Sequence, residues 1–218
     1  MDEEAGRSAV DDQQKLWDEL HTNGVMDELR HQPSEYVQSV IAKLPRSAKI
    51  LELGCGTAGD ARFLQDHGHD VVATDFSEPV ITRNSEIFPD MKFQVLNMAV
   101  GLPFDNQSFN VVYANLSLHY FDDRTTKNIF LDIRRILKRK GILIFRCKSI
   151  NSQSEKEDAR EVAPDIYVQN GHLRHLFSVE YVQELFKECG LLLIEDKYTQ
   201  GLAYGKNAHF VEAIGEKV

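Results

Sequence analysis

The segment KILELGCGTAGD, residues 49–60, concentrates more chemistry than any other part of the chain. Gly54, Gly56 and Gly59 follow the apolar Ile50, Leu51 and Leu53, and hydrogen side chains at such a turn let the backbone pass close to a bound nucleoside. Three acids attend the turn: Glu52, Asp60 and, at the end of a second apolar run, Asp75. The glycine spacing satisfies G-x-G-x-x-G, and Asp75 falls where a dinucleotide site places its ribose-binding carboxylate. Charge decides between ligands. A pyrophosphate would be repelled by Glu52 and Asp60, whereas a cationic nucleoside would be attracted.

S-adenosylmethionine has those properties, with a sulfonium and an ammonium against one carboxylate and two ribose hydroxyls that need an acceptor such as Asp75. The competing reading, a nicotinamide-dependent reductase, would call for a Tyr-x-x-x-Lys pair or a similar hydride relay downstream, and the sequence has no such pair.

The turn needs a scaffold, and the hydropathy pattern supplies one. Strands are predicted at 49–53, 70–74, 92–96, 109–114 and 141–147, alternating with helices at 59–67, 78–86 and 124–138. This is α/β alternation, which implies a doubly wound, mostly parallel sheet. Two helices precede it, over 14–20 and 34–44. A helix opening at Ser178 and stopping at Gly190 precedes two apolar runs, 191–194 and 210–214, which read as a closing strand pair. The basic run from Arg134 to Lys140 reads as a helix end before Gly141, where cations complement the helix dipole. Residues 148–175 are too polar and irregular for a core element and read as a long insertion, either a solvated loop or an active-site cover.

Together these segments resemble the class I S-adenosylmethionine-dependent methyltransferases, from Trp17 to the C-terminus. ILELGCGTAG resembles the family's first motif, and VVATDFS its second strand with the ribose-binding acid. FQVLNM resembles the third strand, LPFDNQSFNVVYANLSLH the "LPFPDNSFDVV" approach to strand four, and LKRKGILIF the "LKPGG" stop and fifth strand. Asn97 stands where the family usually has Asp, and Lys140 where it usually has Pro. The resemblance implies a Rossmann-like seven-stranded sheet ending in an antiparallel hairpin, with helices on both faces. It also implies a cofactor set of Trp17, Glu52, Gly54, Cys55, Gly56, Gly59, Asp60, Asp75, Phe76, Asn97, Met98, Asn115 and Leu116, with S-adenosylhomocysteine as product. HLRHLFSVEYVQELF is similar to "RHFFSKEEL" of a subgroup near the tellurite-resistance methyltransferases, so a tellurite- or thiol-directed detoxifying enzyme is an alternative.

Methyl transfer from a sulfonium is an in-line displacement that asks the protein mainly for alignment and dryness. In a doubly wound sheet the ligand lies at the carboxyl ends of the strands where their order reverses, between strands one and four. That puts His119, Tyr120 and Phe121 near the methyl. His119 is the candidate general base, against the alternative of a structural donor. Tyr120 and Phe121 are candidates for shaping the acceptor pocket. Arg146, Lys148, Arg174 and His175 would rim the same edge and suggest an anionic acceptor, unless they are spent in ordinary ion pairs. Trp17, the only tryptophan, either covers the cofactor or anchors the first helix.

With 218 residues, 42% of them hydrophobic, the chain can bury one sizeable core, expected over 13–218 behind a disordered 1–12. The formal net charge of −9 argues against a nucleic-acid substrate. Cys55, Cys147 and Cys189 are too few and too scattered for a disulfide framework or a metal site, and Cys55 reads as a small packing residue. No signal peptide or membrane span is apparent, and the chain reads as cytoplasmic, monomeric or homodimeric, acting on a small molecule. A catalytically silent cofactor-binding module is the non-enzymatic alternative.

Overall fold

The computed structural model describes residues 13–19, 22, 31–203 and 206–218. The expected disorder of residues 1–12, and Leu20 of the first helix, lie outside the described residues.

Residues 13–19 are helical (α1). Helix α2 (Glu35–Val40) follows, opened by Ser34, whose hydroxyl accepts from Val37 N, and it tightens into a short 3-10 turn, Ile41–Lys43. The core then alternates β1 (Lys49–Leu53), α3 (Gly59–Asp66), β2 (Asp70–Asp75), α4 (Glu78–Ile87), β3 (Lys92–Val95), β4 (Phe109–Asn115), α5 (Asp123–Ile136) and β5 (Leu137–Lys148). Three short strands come next, β6 (Arg160–Ala163), β7 (Ile166–Gln169) and β8 (His172–His175). Helix α6 (Val179–Cys189) and the strands β9 (Leu192–Ala203) and β10 (Lys206–Glu216) complete the described chain.

The main sheet has seven strands in the order β3-β2-β1-β4-β5-β10-β9. Its first five are parallel, and β10 runs antiparallel to both β5 and β9. This is the doubly wound sheet with a closing hairpin that the sequence implied. The order reverses between β1 and β4, which opens a crevice at their carboxyl ends. Each face is covered by its own core. Leu51, Leu53, Val112 and Phe145 meet α5 and α6 through Phe130, Ile133 and Phe186. Ile50, Val111, Tyr113 and Ile144 face the other way onto α2, α3 and α4 through Val37, Leu64 and Val80. Strand residues pointing alternately to two buried faces explain why these strands are continuous apolar runs.

Two expectations are corrected. Helix α5 ends at Ile136, so Arg134 and Arg135 occupy its last turn, while Leu137 already begins β5 and Lys138–Lys140 lie in that strand. Lys217 Nζ donates to the helix-end carbonyls of Arg135 and Leu137, the service expected of the basic run itself. The 148–175 segment, read as an irregular insertion, contains a three-stranded antiparallel sheet, β6-β7-β8. Its tight turn is Asn170-Gly171, both at positive φ, the conformation of a two-residue hairpin loop.

Candidate active site

The ends of β1, β2 and β4 surround a cavity of about 380 Å³. Its floor is the glycine turn. Gly54 N and Cys55 N donate to the Thr74 carbonyl at 2.9 and 2.8 Å, which pins the turn to β2. The Asp75 carboxylate divides its oxygens between two backbone donors, Gly56 N at 2.8 Å and Ser77 N at 3.0 Å. It remains on the cavity wall, 9% exposed, with acceptor capacity left for a ligand's hydroxyls. Gly54 has φ +77°, and a Cβ there would stand 2.5 Å from Ser117 Cβ, so β1 and β4 can approach only over a glycine. A Cβ on Gly56 would meet nothing within 4 Å among the described residues; it would project into the cradle itself.

The neighbouring wall is made by Phe76, Leu96, Asn97 and Met98. Leu96 N donates to the Asp75 carbonyl, and Asn97 caps the 3-10 turn Met98–Val100 by accepting from Ala99 N at 3.0 Å. On the β4 side, Asn115 receives Arg146 Nε at 2.9 Å and gives its amide to Asp60 at 3.0 Å. Leu116 lines the cavity at φ +59°, an uncommon conformation for a branched side chain and one that clusters at functional sites.

Four residues of the implied cofactor set stand behind this wall. Asp60 accepts from Ser34 N, Ser34 Oγ, Tyr113 OH and Asn115 Nδ2, so its carboxylate docks α2 against α3. Gly59 is required by packing, since a Cβ would lie 2.1 Å from the Gln32 carbonyl. Burial, helped by Asp75 and Glu52, pushes the Cys55 thiol well up, which makes it an inert packing residue. Glu52 is 2% exposed and its Oε2 has no hydrogen-bond partner among the described residues. Burial, then Asp60 and Asp75, hold its carboxyl well above the usual carboxylate range. A cation bound at the turn would relieve the repulsion that Asp60 and Asp75 exert on Glu52.

The opposite wall differs in kind. Tyr120 and Phe121 line it, joined by Val168, Gly171 and Leu173 of the β7–β8 hairpin and by Gln13 and Trp17 of α1. Gln13 Nε2 donates to the Gly171 carbonyl at 2.7 Å, and the Trp17 ring sits edge-on to Tyr120 at 4.7 Å and tilted on His172 at 4.8 Å. His119 is wholly buried behind Tyr120, off the wall, and neither ring nitrogen has a partner among the described residues. Burial, with Arg174, Lys148 and His175 nearby, holds it neutral, its pKa well below the ordinary imidazole range. None of the four rim candidates is on the wall. Arg146 lies over the Phe210 ring at 4.4 Å; Lys148 and Arg174 both pair with Glu155, at 2.7 and 3.1 Å; and His175 packs on Phe177 and Tyr181. Sequence reasoning missed Gln13, Val168, Gly171 and Leu173, and also Leu96, Ala99, Ser117, Asp122 and Thr125 beside residues it did name. The Asn170-Gly171 turn between apolar-bearing runs was the one local signal for the hairpin that carries three of them.

A family profile described as "Methyltransferase domain" matches residues 50–141. Among curated relatives, the sarcosine/dimethylglycine N-methyltransferase of Aphanothece halophytica is 26% identical over 169 residues, 74% of this chain and 58% of that protein. The malonyl-[acyl-carrier protein] O-methyltransferase of Enterobacter lignolyticus is 27% identical over 124 residues, 56% of this chain and 48% of that one. The chain thus spans about half the length of these two relatives. Among solved structures, the 1,6-didemethyltoxoflavin-N1-methyltransferase of Burkholderia thailandensis, crystallised with S-adenosylhomocysteine, shares the fold with a TM-score of 0.74 at 17% identity. That likeness covers 98% of this chain and 90% of the other. The profile covers β1 through the start of β5, the strands that build the cradle of Gly56 and Asp75, and the seven-stranded order with its antiparallel hairpin is a fold shared with solved S-adenosylmethionine-dependent methyltransferases.

Proposed function

We propose that the chain transfers a methyl group from S-adenosylmethionine to a small-molecule acceptor. The observation that carries this reading is the cradle at Gly56, open above a carboxylate that backbone donors already orient, with Glu52 beneath it, whose Oε2 has no hydrogen-bond partner among the described residues. Bound S-adenosylmethionine would supply an electrophilic methyl on a sulfonium. The protein's share is placement. Asp75 accepts the ribose hydroxyls, Phe76, Leu96, Asn97 and Met98 frame the adenine, and Gly54, Gly56, Asn115 and Leu116 hold the methionine end. Trp17 closes the cavity. Behind the wall, Glu52 balances the ligand's charge while Cys55, Gly59 and Asp60 keep the turn in shape. The acceptor's lone pair forms the new bond to carbon as the C–S bond breaks, and the electron pair stays on sulfur as a thioether.

His119 enters this reading as a neutral prop behind Tyr120, and the reaction then depends on alignment and exclusion of water more than on a protein base. The likeness of residues 172–186 to the tellurite-resistance group is one of sequence alone, because that segment forms β8 and α6 and contributes only Leu173 to the cavity wall.

Calorimetry tests the cofactor assignment. S-adenosylmethionine and S-adenosylhomocysteine should bind, and NADH and NADPH should give no heat. Asp75→Ala should weaken S-adenosylhomocysteine by at least about tenfold, since hydrogen bonds to a charged group contribute about 1.5–3 kcal/mol each. Unchanged affinity in the folded variant would remove Asp75 from the site. Formation of S-adenosylhomocysteine on turnover distinguishes the enzyme from a cofactor-sensing module.

A further inference from the structure

The acceptor half of the cavity carries a selectivity that the family assignment does not state. We infer that the methyl acceptor is an uncharged, largely apolar molecule seated beside the Trp17–Tyr120 pair, against Phe121, Val168 and Leu173 under the β7–β8 hairpin, and that the cavity discriminates against carboxylates and phosphates. This rests on the methyltransferase reading above and narrows its substrate class.

The wall itself is the first ground. Among the described residues, the charged side chains that line the cavity are Asp75 and Asp122, both acidic. The nearby cations stand off the wall in contacts of their own, although Arg174 Nη1 has no hydrogen-bond partner among the described residues. Lys148 and Arg174 share the buried Glu155, and Arg146 is stacked between Tyr36 and Phe210 while donating to Asn115. An anionic acceptor would therefore shed its water against a wall that offers carboxylates and rings. Bound S-adenosylmethionine would add one net positive charge to a wall that carries two carboxylates, Asp75 and Asp122, and would not make the cavity a basic one.

The second ground is shape and polarity at the acceptor end. Trp17, Tyr120, Phe121, Val168 and Leu173 present rings and branched aliphatics. Tyr120 is held edge-on by Trp17 in front and backed by the Arg174 guanidinium at 4.7 Å, so its ring is a fixed plate. His172, which supports the Trp17 ring, adds no charge at neutral pH, because burial and then Arg174 hold its pKa down at about 4. The parts of these rings left on the wall, with Phe121, Val168 and Leu173, form a fixed apolar surface. An uncharged acceptor also gives a balanced transfer. Its hydroxyl, thiol or nitrogen lone pair takes the methyl, the C–S pair remains on sulfur, and the acceptor's proton leaves to water at the exposed rim beside Asp122.

Quinoline and quinoline-4-carboxylate, one ring system with and without an anion, test this at pH 7.5 on the full chain saturated with S-adenosylhomocysteine. Calorimetry gives the affinities, and the emission of the sole tryptophan, Trp17, reports binding at this site. Quinoline should bind at least about tenfold more tightly than its carboxylate. Leu173→Arg should erase or invert that ratio, and Val168→Lys offers a second variant if the first does not fold. A carboxylate that binds as well as quinoline, a failure of both probes on the S-adenosylhomocysteine complex, or a ratio indifferent to the new cation would overturn the inference. If S-adenosylhomocysteine itself gives no heat, the cofactor reading fails instead.

Discussion

The two halves of the cavity are built by different means. The cofactor half consists of backbone groups and short polar side chains at strand ends, where the register of β1 with β2 puts Leu53 beside Thr74 and so brings the glycine turn onto Asp75. The acceptor half consists of large side chains drawn from α1, the loop after β4 and the β7–β8 hairpin, held by scattered contacts such as Gln13 to Gly171 and His175 N to the His119 carbonyl. A sheet end can specify one ligand accurately because hydrogen-bonded strands hold its donors and acceptors in place. A cap of rings sorts ligands by shape and charge, and it can change its choice without disturbing the sheet.

The strongest way to break this contrast is at Gly54. Gly54→Ala combines a left-handed backbone with a Cβ 2.5 Å from Ser117 Cβ. It should cost about 3 kcal/mol, or roughly 6–12 °C in melting temperature, and lower S-adenosylhomocysteine affinity by about a hundredfold or more. A variant that melts and binds like the parent would show that the turn is not held by the β1–β4 contact.

Acid should separate the two halves. His172 has a folded pKa of about 4 against about 6.5 unfolded, and His175 and His119 are lowered in the same direction. Between those values the unfolded chain binds more protons, so stability rises with pH through the window and falls on acidification. Going from pH 7.5 to 5.5 should cost the cap about 1 kcal/mol through His172 alone. Glu52 has the opposite sign. Its raised pKa makes the unfolded chain the weaker proton binder above the ordinary carboxylate range, so acidification relieves the cofactor half. Hydrogen exchange should accordingly show β7 and β8 losing protection at pH 5.5 while β1 and β2 hold or gain. Uniform loss across both would refute the separation.

The smallest effect is expected at His119. Two buried ring nitrogens without partners among the described residues are a cost that an apolar replacement removes, so His119→Leu should leave the melting temperature unchanged or slightly higher. Turnover should stay within about threefold of the parent. A loss of about a hundredfold, recovering at high pH, would return His119 to the role of general base.

Sequence alone determined the sheet and its cofactor edge, because both are local. Apolar runs separated by helix-length intervals imply parallel strands, a glycine turn after the first run implies a cradle, and an acid ending the second run falls beside it once the two strands pair in register. Gly54, Gly56 and Asp75 could be named for that reason, and Asn97 from the family resemblance of the third strand. Tertiary structure alone decided who faces the ligand elsewhere. Asp60 and Asp75 are the same residue type beside the same turn, yet Asp60 is consumed by Ser34, Tyr113 and Asn115, partners distant in sequence. Arg146, Lys148 and Arg174 read as a basic rim until the fold brings Glu155 and the Phe210 ring to them. A side chain's charge is written in the sequence, but its availability depends on what the folded chain has already paired it with, and that is a long-range property.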